Sequence, residues 1–174
     1  MARQSKAIYE YIFPLLVIFI LIAIPAYAQY SEAQINAILV PAESFFKSLK
    51  EKNYGKTWIS LSQKSQNTII DDISKEILKN QSPQTPTGGY SKEQINADLK
   101  NGGPISKLYW NGFQQYFNPD LALEQSAWKI GFIKNDNAEI TIQYKKSDSP
   151  AKLKMFKENN AWKVGLVETF WNRK

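Results

Sequence analysis

Residues 128–166, WKIGFIKNDNAEITIQYKKSDSPAKLKMFKENNAWKVGL, alternate apolar and polar side chains with the two-residue period of a half-buried β-sheet. Trp128, Ile130 and Phe132 fall on one side and Lys129 on the other, while Ile140, Ile142 and Tyr144 oppose Glu139, Thr141, Gln143 and Lys145. Leu153 and Met155 oppose Lys152 and Lys154, and Trp162, Val164 and Leu166 oppose Lys163. Asn135-Asp136-Asn137, Ser147 to Pro150 and Asn159-Asn160 separate the runs with residues suited to tight turns. The pattern predicts four antiparallel strands in a meander with one apolar face, and such a face needs a helical cover.

That cover is expected upstream. Ser31-Glu32-Ala33-Gln34 has capping-box form, and Ile35, Ile38, Leu39, Ala42, Phe45, Phe46 and Leu49 recur at helical spacing. Pro41 is expected to divide this helix, with a second start there and Asn53 and Gly55 ending it. A short helical piece from Lys56 to Ser62 carries Trp58 and Leu61. Thr68 to Lys79 places Ile69, Ile70, Ile73 and Ile77 on one side, with Asp71 and Asp72 in the first turn. Residues 80–89, NQSPQTPTGG, read as a loop, and Ser91-Lys92-Glu93-Gln94 opens a further helix. Segments 30–39 and 90–99 share seven of ten residues; the likeness ends there, which makes it two uses of one helix-starting phrase rather than a duplication. After Gly102-Gly103-Pro104, Ile105 to Phe117 forms an aromatic-heavy helix. The class is α+β, with N-terminal helices packed on a curved antiparallel sheet of about four strands.

Residues 1–28 read as a secretory leader. Arg3 and Lys6 supply a positive start, Ile12 to Ile24 is almost wholly apolar, and Ala26-Tyr27-Ala28 offers small residues where a signal peptidase cuts. The mature chain is then one exported domain of residues 29–174, periplasmic or secreted. The alternative is an uncleaved membrane anchor. Ile12 to Ala28 is 17 residues, at the lower edge of a bilayer span, and Pro14 and Pro25 interrupt it. Residue 29 is Gln, so a lipoprotein-type acceptor cysteine is missing there.

Composition excludes several chemistries. The chain has no cysteine, so stability must come from packing without disulfides. It has no histidine either, which removes the usual ligands of zinc, copper, haem and iron-sulfur centres and the nucleophilic triads built on histidine or cysteine. No carboxylate spacing resembles an EF-hand, and neither metal nor cofactor is expected. Without Arg3, Lys6 and Glu10 the mature chain keeps 20 basic and 15 acidic side chains, a net charge of +5. Such a protein can make weak contact with an anionic envelope surface, although scattered lysines also serve solubility. Nucleic acid is not an expected partner, because export removes the opportunity and no recognition motif is present.

Two phrases carry a resemblance. Residues 42–62, AESFFKSLKEKNYGKTWISLS, resemble the opening helices of bacterial NTF2-like, cystatin-like-fold domains, and residues 158–164, ENNAWKV, are similar to the charged-turn strand near their ends. The resemblance covers most of residues 41–171. It implies a cone of helices and sheet whose interior binds a small molecule, holds a catalytic base, or is filled. Isomerases and hydratases of this kind need a buried carboxylate or histidine to move a proton. The inward strand positions carry none, and Glu168, which shares their parity, lies at the far end of its strand, where a charge more often meets solvent. Tyr54, Trp58, Trp110, Tyr116, Trp128, Tyr144 and Trp162 line a pocket if the cone is open and fill it if it is closed. On the outer sheet face, Ile133, Phe156 and Val167 sit among Lys129, Lys145, Lys152, Lys154 and Lys163, a surface for a homodimer or an envelope protein. The expected function is non-enzymatic binding of a small ligand or protein partner in the cell envelope. The rivals are an isomerase or hydratase acting in the cone, and a structural component of an envelope complex held by an N-terminal anchor.

Overall fold

Burial of one apolar stripe carries α1 (Glu32–Lys50), the first helix among the described residues, straight through a proline. In this computed structural model, which describes residues 30–79 and 89–170, Pro41 does not divide the helix as expected. The carbonyl that loses its donor belongs to Ala37 on the exposed side, where water can satisfy it. Ile38, Ala42, Phe45, Phe46 and Leu49 are all essentially inaccessible. Each large side chain among them contributes about 1.5–3 kcal/mol by burial, against a cost of about 3 kcal/mol for an interior proline. The expected leader and the central residues of the expected loop lie outside the described residues.

Local capping sets the remaining helix boundaries. Lys52 takes a left-handed conformation, φ 57°, and Asn53 starts α2 (Tyr54–Ile59) by accepting the Lys56 N–H. Helix α3 (Gln63–Lys79) begins five residues before the position expected from its isoleucines. Ser62 Oγ accepts the Ser65 N–H at 3.1 Å, and the Glu158 carboxylate accepts the Gln63 N–H, so two otherwise orphaned donors are satisfied. Asp71 and Asp72 therefore lie in mid-helix, where Asp71 pairs with Lys92 at 2.7 Å. Helix α4 (Lys92–Asn101) opens on the expected capping box of Ser91 and Gln94 and stops at left-handed Gly102. Asp98 then reaches across to accept the Ser106 N–H at 2.8 Å in the first turn of α5 (Pro104–Tyr116). A short α6 (Pro119–Glu124), absent from the sequence reading, is tied to α1 by Lys50, which pairs with both Asp120 and Glu124.

The strands β1 (Ser126–Lys134), β2 (Asn137–Tyr144), β3 (Ala151–Glu158) and β4 (Ala161–Gly165) form an open antiparallel sheet in the order β1-β2-β3-β4. The α+β class and the four-stranded meander are as expected. Asn159 and Asn160 both have positive φ, the conformation that lets a two-residue turn join β3 and β4. In β1 the register slips between Ile130 and Phe132. This bulge at Gly131 reverses the parity beyond it, so Phe132 turns outward, 43% exposed, and Ile133 turns in. At the other end, the backbone becomes helical at α7 (Leu166–Phe170), and both Leu166 and Val167 are buried. Val167 thus belongs to the core rather than to the outer sheet face.

Residues 60–62 join the helical layer to β4. Val164 N–H donates to the Ser60 carbonyl and Ser62 N–H to the Val164 carbonyl, both at 2.9 Å, a parallel bridge that occupies the edge of β4. Just beyond, buried Ser65 accepts the Val167 N–H at 3.1 Å and donates to Glu168 at 2.6 Å. The described residues from Glu32 onward belong to one compact unit. Replacing Ser65 with Ala leaves the buried Val167 N–H without its acceptor and is expected to cost about 1–3 kcal/mol. Urea denaturation measures this, and a loss below about 0.5 kcal/mol, the size of an ordinary surface substitution, contradicts the assignment.

Candidate binding cleft

The space between helices and sheet is filled by rings from the helices together with Ile140, Leu153, Met155 and Val164 from the sheet. Phe45 and Phe46 meet edge to face with centroids 5.0 Å apart, and Phe46 continues to Trp128 and Phe117, each at 5.4 Å. Trp110 packs against Phe45, Tyr54 and Phe113, and Phe170 of α7 covers Phe113 and Phe117. Such contacts favour offset and T-shaped geometry and add to the burial energy of the rings. The polar atoms admitted here are few. The Ser48 hydroxyl donates to the Phe45 carbonyl and accepts from Thr57. Tyr109 Oη and Trp110 Nε1 are buried without a hydrogen-bond partner among the described residues. Burial pushes the Tyr109 phenol well above its usual range, and the nearby Asp72 charge adds to the effect.

Carboxylates near this layer are engaged in holding helix ends. Glu168 lies on α7, half-buried, and accepts from the hydroxyls of Ser62 and Ser65 at the start of α3. Because α7 is helical, Glu168 does not continue the inward strand parity. Asp98 serves α5 and Glu158 serves α3 in the same way. Among the described residues, no group of three or more acidic side chains is placed to hold a metal ion, and no helix is long and apolar enough to cross a membrane.

The seven aromatic residues expected to share a pocket are dispersed. Trp58 and Trp110 are at most 1% exposed, whereas Tyr116 is 93% exposed on the outside of α5. Trp128 lines a hollow of about 310 Å³ with Leu39, Glu43, Leu123 and Ser126. Tyr144 and Trp162 are half-buried on the sheet. Tyr54 and Trp58 come closest to a shared site, on either side of α2.

Two adjoining hollows flank that short helix and share Ile59 and Lys100. The first, about 510 Å³, is lined by Lys52, Lys56 and Lys100 together with Asn53, Tyr54 and Asn101. No carboxylate belongs to its lining, and none of its three lysines is ion-paired among the described residues. Its walls are close because α2 meets the end of α4 at Gly55, where a β-carbon would lie 2.5 Å from the Lys100 carbonyl oxygen. The second, about 340 Å³, is lined by an edge of Trp58 and by Gln63, Gln66, Asn96, Glu158 and Lys163. Trp58 Nε1 donates to Asn96 Oδ1 at 3.1 Å, Gln66 Nε2 donates to the Trp58 carbonyl, and Lys163 Nζ donates to the Ile59 carbonyl at 2.7 Å. The cleft thus combines ammonium groups with hydrogen-bonded amides, a set able to hold an anionic or strongly polar ligand but lacking, among the described residues, a paired nucleophile and base. Reading along the chain singled out Tyr54 and Trp58 but missed the lysines, since Lys52 lies in the turn before α2 and Lys100 near the end of α4, far apart in the chain and without a local signature.

No protein family, curated protein or solved structure matches the chain.

The unpartnered Tyr109 hydroxyl makes a stability prediction. Tyr109→Phe removes a buried polar group with nothing to lose and is expected to raise stability by about 1 kcal/mol in urea denaturation. The folded state holds the phenol proton above pH 10, where the unfolded chain releases it, so wild-type stability should fall as pH rises past about 10. The Phe variant should show a smaller fall. An equal alkaline loss in both proteins contradicts the assignment.

Proposed function

We propose that this chain is an exported, NTF2-like binding domain that holds an anionic ligand of the cell envelope in the cleft around α2 without transforming it. The observation that carries this reading is the solid interior: Phe45, Phe46, Trp58 and Trp110 are buried to within 1%, so ligand contact falls to the surface. The order of helices followed by an open antiparallel meander is compatible with the NTF2-like resemblance. The secretory leader favours the periplasm or secretion, and an uncleaved leader would present the same domain at the outer surface of a membrane. An isomerase or hydratase would need a shielded carboxylate facing the interior, whereas Asp98, Glu158 and Glu168 are committed to helix ends. A protein partner is the second reading. The bulge turns Phe132 onto the outer sheet face opposite Glu139, whose charge is met by Lys152, with Lys129 and Lys154 nearby, a mixed face with a basic excess that suits an acidic surface.

Titration with triglutamate and with inorganic phosphate, followed by amide chemical shifts, tests the cleft against neutral triglutamine. The acidic probes are expected to move residues 52–56 and 100–102 together, with affinity falling as salt rises, because exposed charges are screened within about 10 Å at 0.1 M ionic strength. The double variant Lys52→Glu/Lys100→Glu should weaken binding on the order of tenfold or more while leaving the melting temperature nearly unchanged. Absence of shifts at these residues, or equal shifts with triglutamine, removes the basis for the reading. Native mass spectrometry of protein taken from the expressing cell's envelope reports any ligand it retains.

A further inference from the structure

The two hollows beside α2 make different demands on a ligand. In the first, the charged groups are all donors: Lys52, Lys56 and Lys100. The second mixes donors with acceptors, and two hydrogen bonds to Trp58 fix which amide atoms are left over. An indole N–H can only donate, so the Asn96 oxygen faces it and Asn96 Nδ2 stays unengaged among the described residues. A carbonyl oxygen can only accept, so the Gln66 nitrogen faces the Trp58 carbonyl and Gln66 Oε1 stays unengaged in the same way. Glu158 and Lys163 line this hollow too, one acceptor and one donor of opposite charge. Ile59, 48% exposed, lines both hollows, as does Lys100.

We infer that the cleft takes a saccharide with an acidic group at one end, the carboxylate or phosphate lying among the three lysines and the neutral sugar in the second hollow. Each sugar hydroxyl both donates and accepts, so neighbouring hydroxyls can answer Asn96 Nδ2 and Gln66 Oε1 together. The C–H face of the ring is apolar and can rest on Ile59. Glu158 repels a second acidic group in the second hollow, which confines the ligand's charge to the lysine end. Volumes of about 510 and 340 Å³ both fall within the roughly 300–1,000 Å³ of small-molecule sites. An acidic peptide also offers donors and acceptors, but its main chain is best held by adding a strand to a sheet edge. The adjoining edge of β4 is already paired with residues 60–62. The saccharide assignment rests on the anion reading of the α2 cleft and adds the neutral half of the ligand.

Lactobionate, a disaccharide acid with its carboxylate at one end, tests this against acetate, with amide shifts followed on the protein as the expressing cell leaves it. Maltose 1-phosphate against inorganic phosphate repeats the comparison for a phosphate end. At least one of the two sugar acids is expected to bind about tenfold more tightly than its bare anion, the gain of one or two added hydrogen bonds. It should move residues 63–66, 96 and 158–163 together with 52–56 and 100–102, whereas the bare anion moves only the second set. Asn96→Asp keeps the oxygen that accepts from Trp58 and replaces the donor with an acceptor, so the fold should stand while the advantage of the sugar acid over its anion disappears. Equal affinity for sugar acid and bare anion in both comparisons, or triglutamate binding more tightly than either sugar acid, overturns the saccharide assignment and leaves the anion reading standing. Absence of shifts with every acid removes both.

Discussion

The parallel pairing of Ser60–Ser62 with β4 organises the molecule. It joins a segment of the helical half to the last strand, and Ser65 extends the join by holding Val167 and Glu168. Each such hydrogen bond contributes only about 0.5–1.5 kcal/mol net, yet a buried donor left unpaired costs more. The seam therefore has few partial states. It occupies the edge of β4, starts α3, and holds α2 so that Trp58 is buried while Ile59 is shared by the two hollows.

A chain without cysteine must obtain its stability from packing, and here aromatic rings on the helices join aliphatic side chains of the sheet in one core. Phe45, Phe46, Trp110, Phe113, Phe117 and Trp128 interlock through the space that an open cone would offer a ligand. The consequence reaches function. Side chains that might have lined a pocket serve the core, and the polar groups able to meet a ligand are distributed on the outside, along α2. Carboxylates follow the same logic, since Asp98 and Glu158 accept backbone donors at helix starts and Glu168 accepts the hydroxyls of Ser62 and Ser65.

Features governed by neighbouring residues were readable in advance. Alternation identified all four strands, Asn159-Asn160 marked a turn that needs positive φ, and Ser91 with Gln94 announced α4. The failures have a common origin in distant contacts. Helix α3 starts early because Glu158, far along the chain, accepts a donor at its first residue. Pro41 is tolerated because the stripe around it is buried by other elements. Phe132 and Ile133 exchange faces because β1 must match β2 across a one-residue bulge, which no periodicity within β1 records.

Sequence by itself determined the class of the domain, the polarity of the sheet and the absence of cysteine and histidine chemistry, because each depends on composition or on the fixed geometry of adjacent residues. Tertiary structure alone decided that Phe45, Phe46, Trp58 and Trp110 are buried together and that Lys52, Lys56 and Lys100 line one hollow. These are relations among residues remote in the chain. They arise only when packing brings the surfaces together, and no local rule of spacing specifies them.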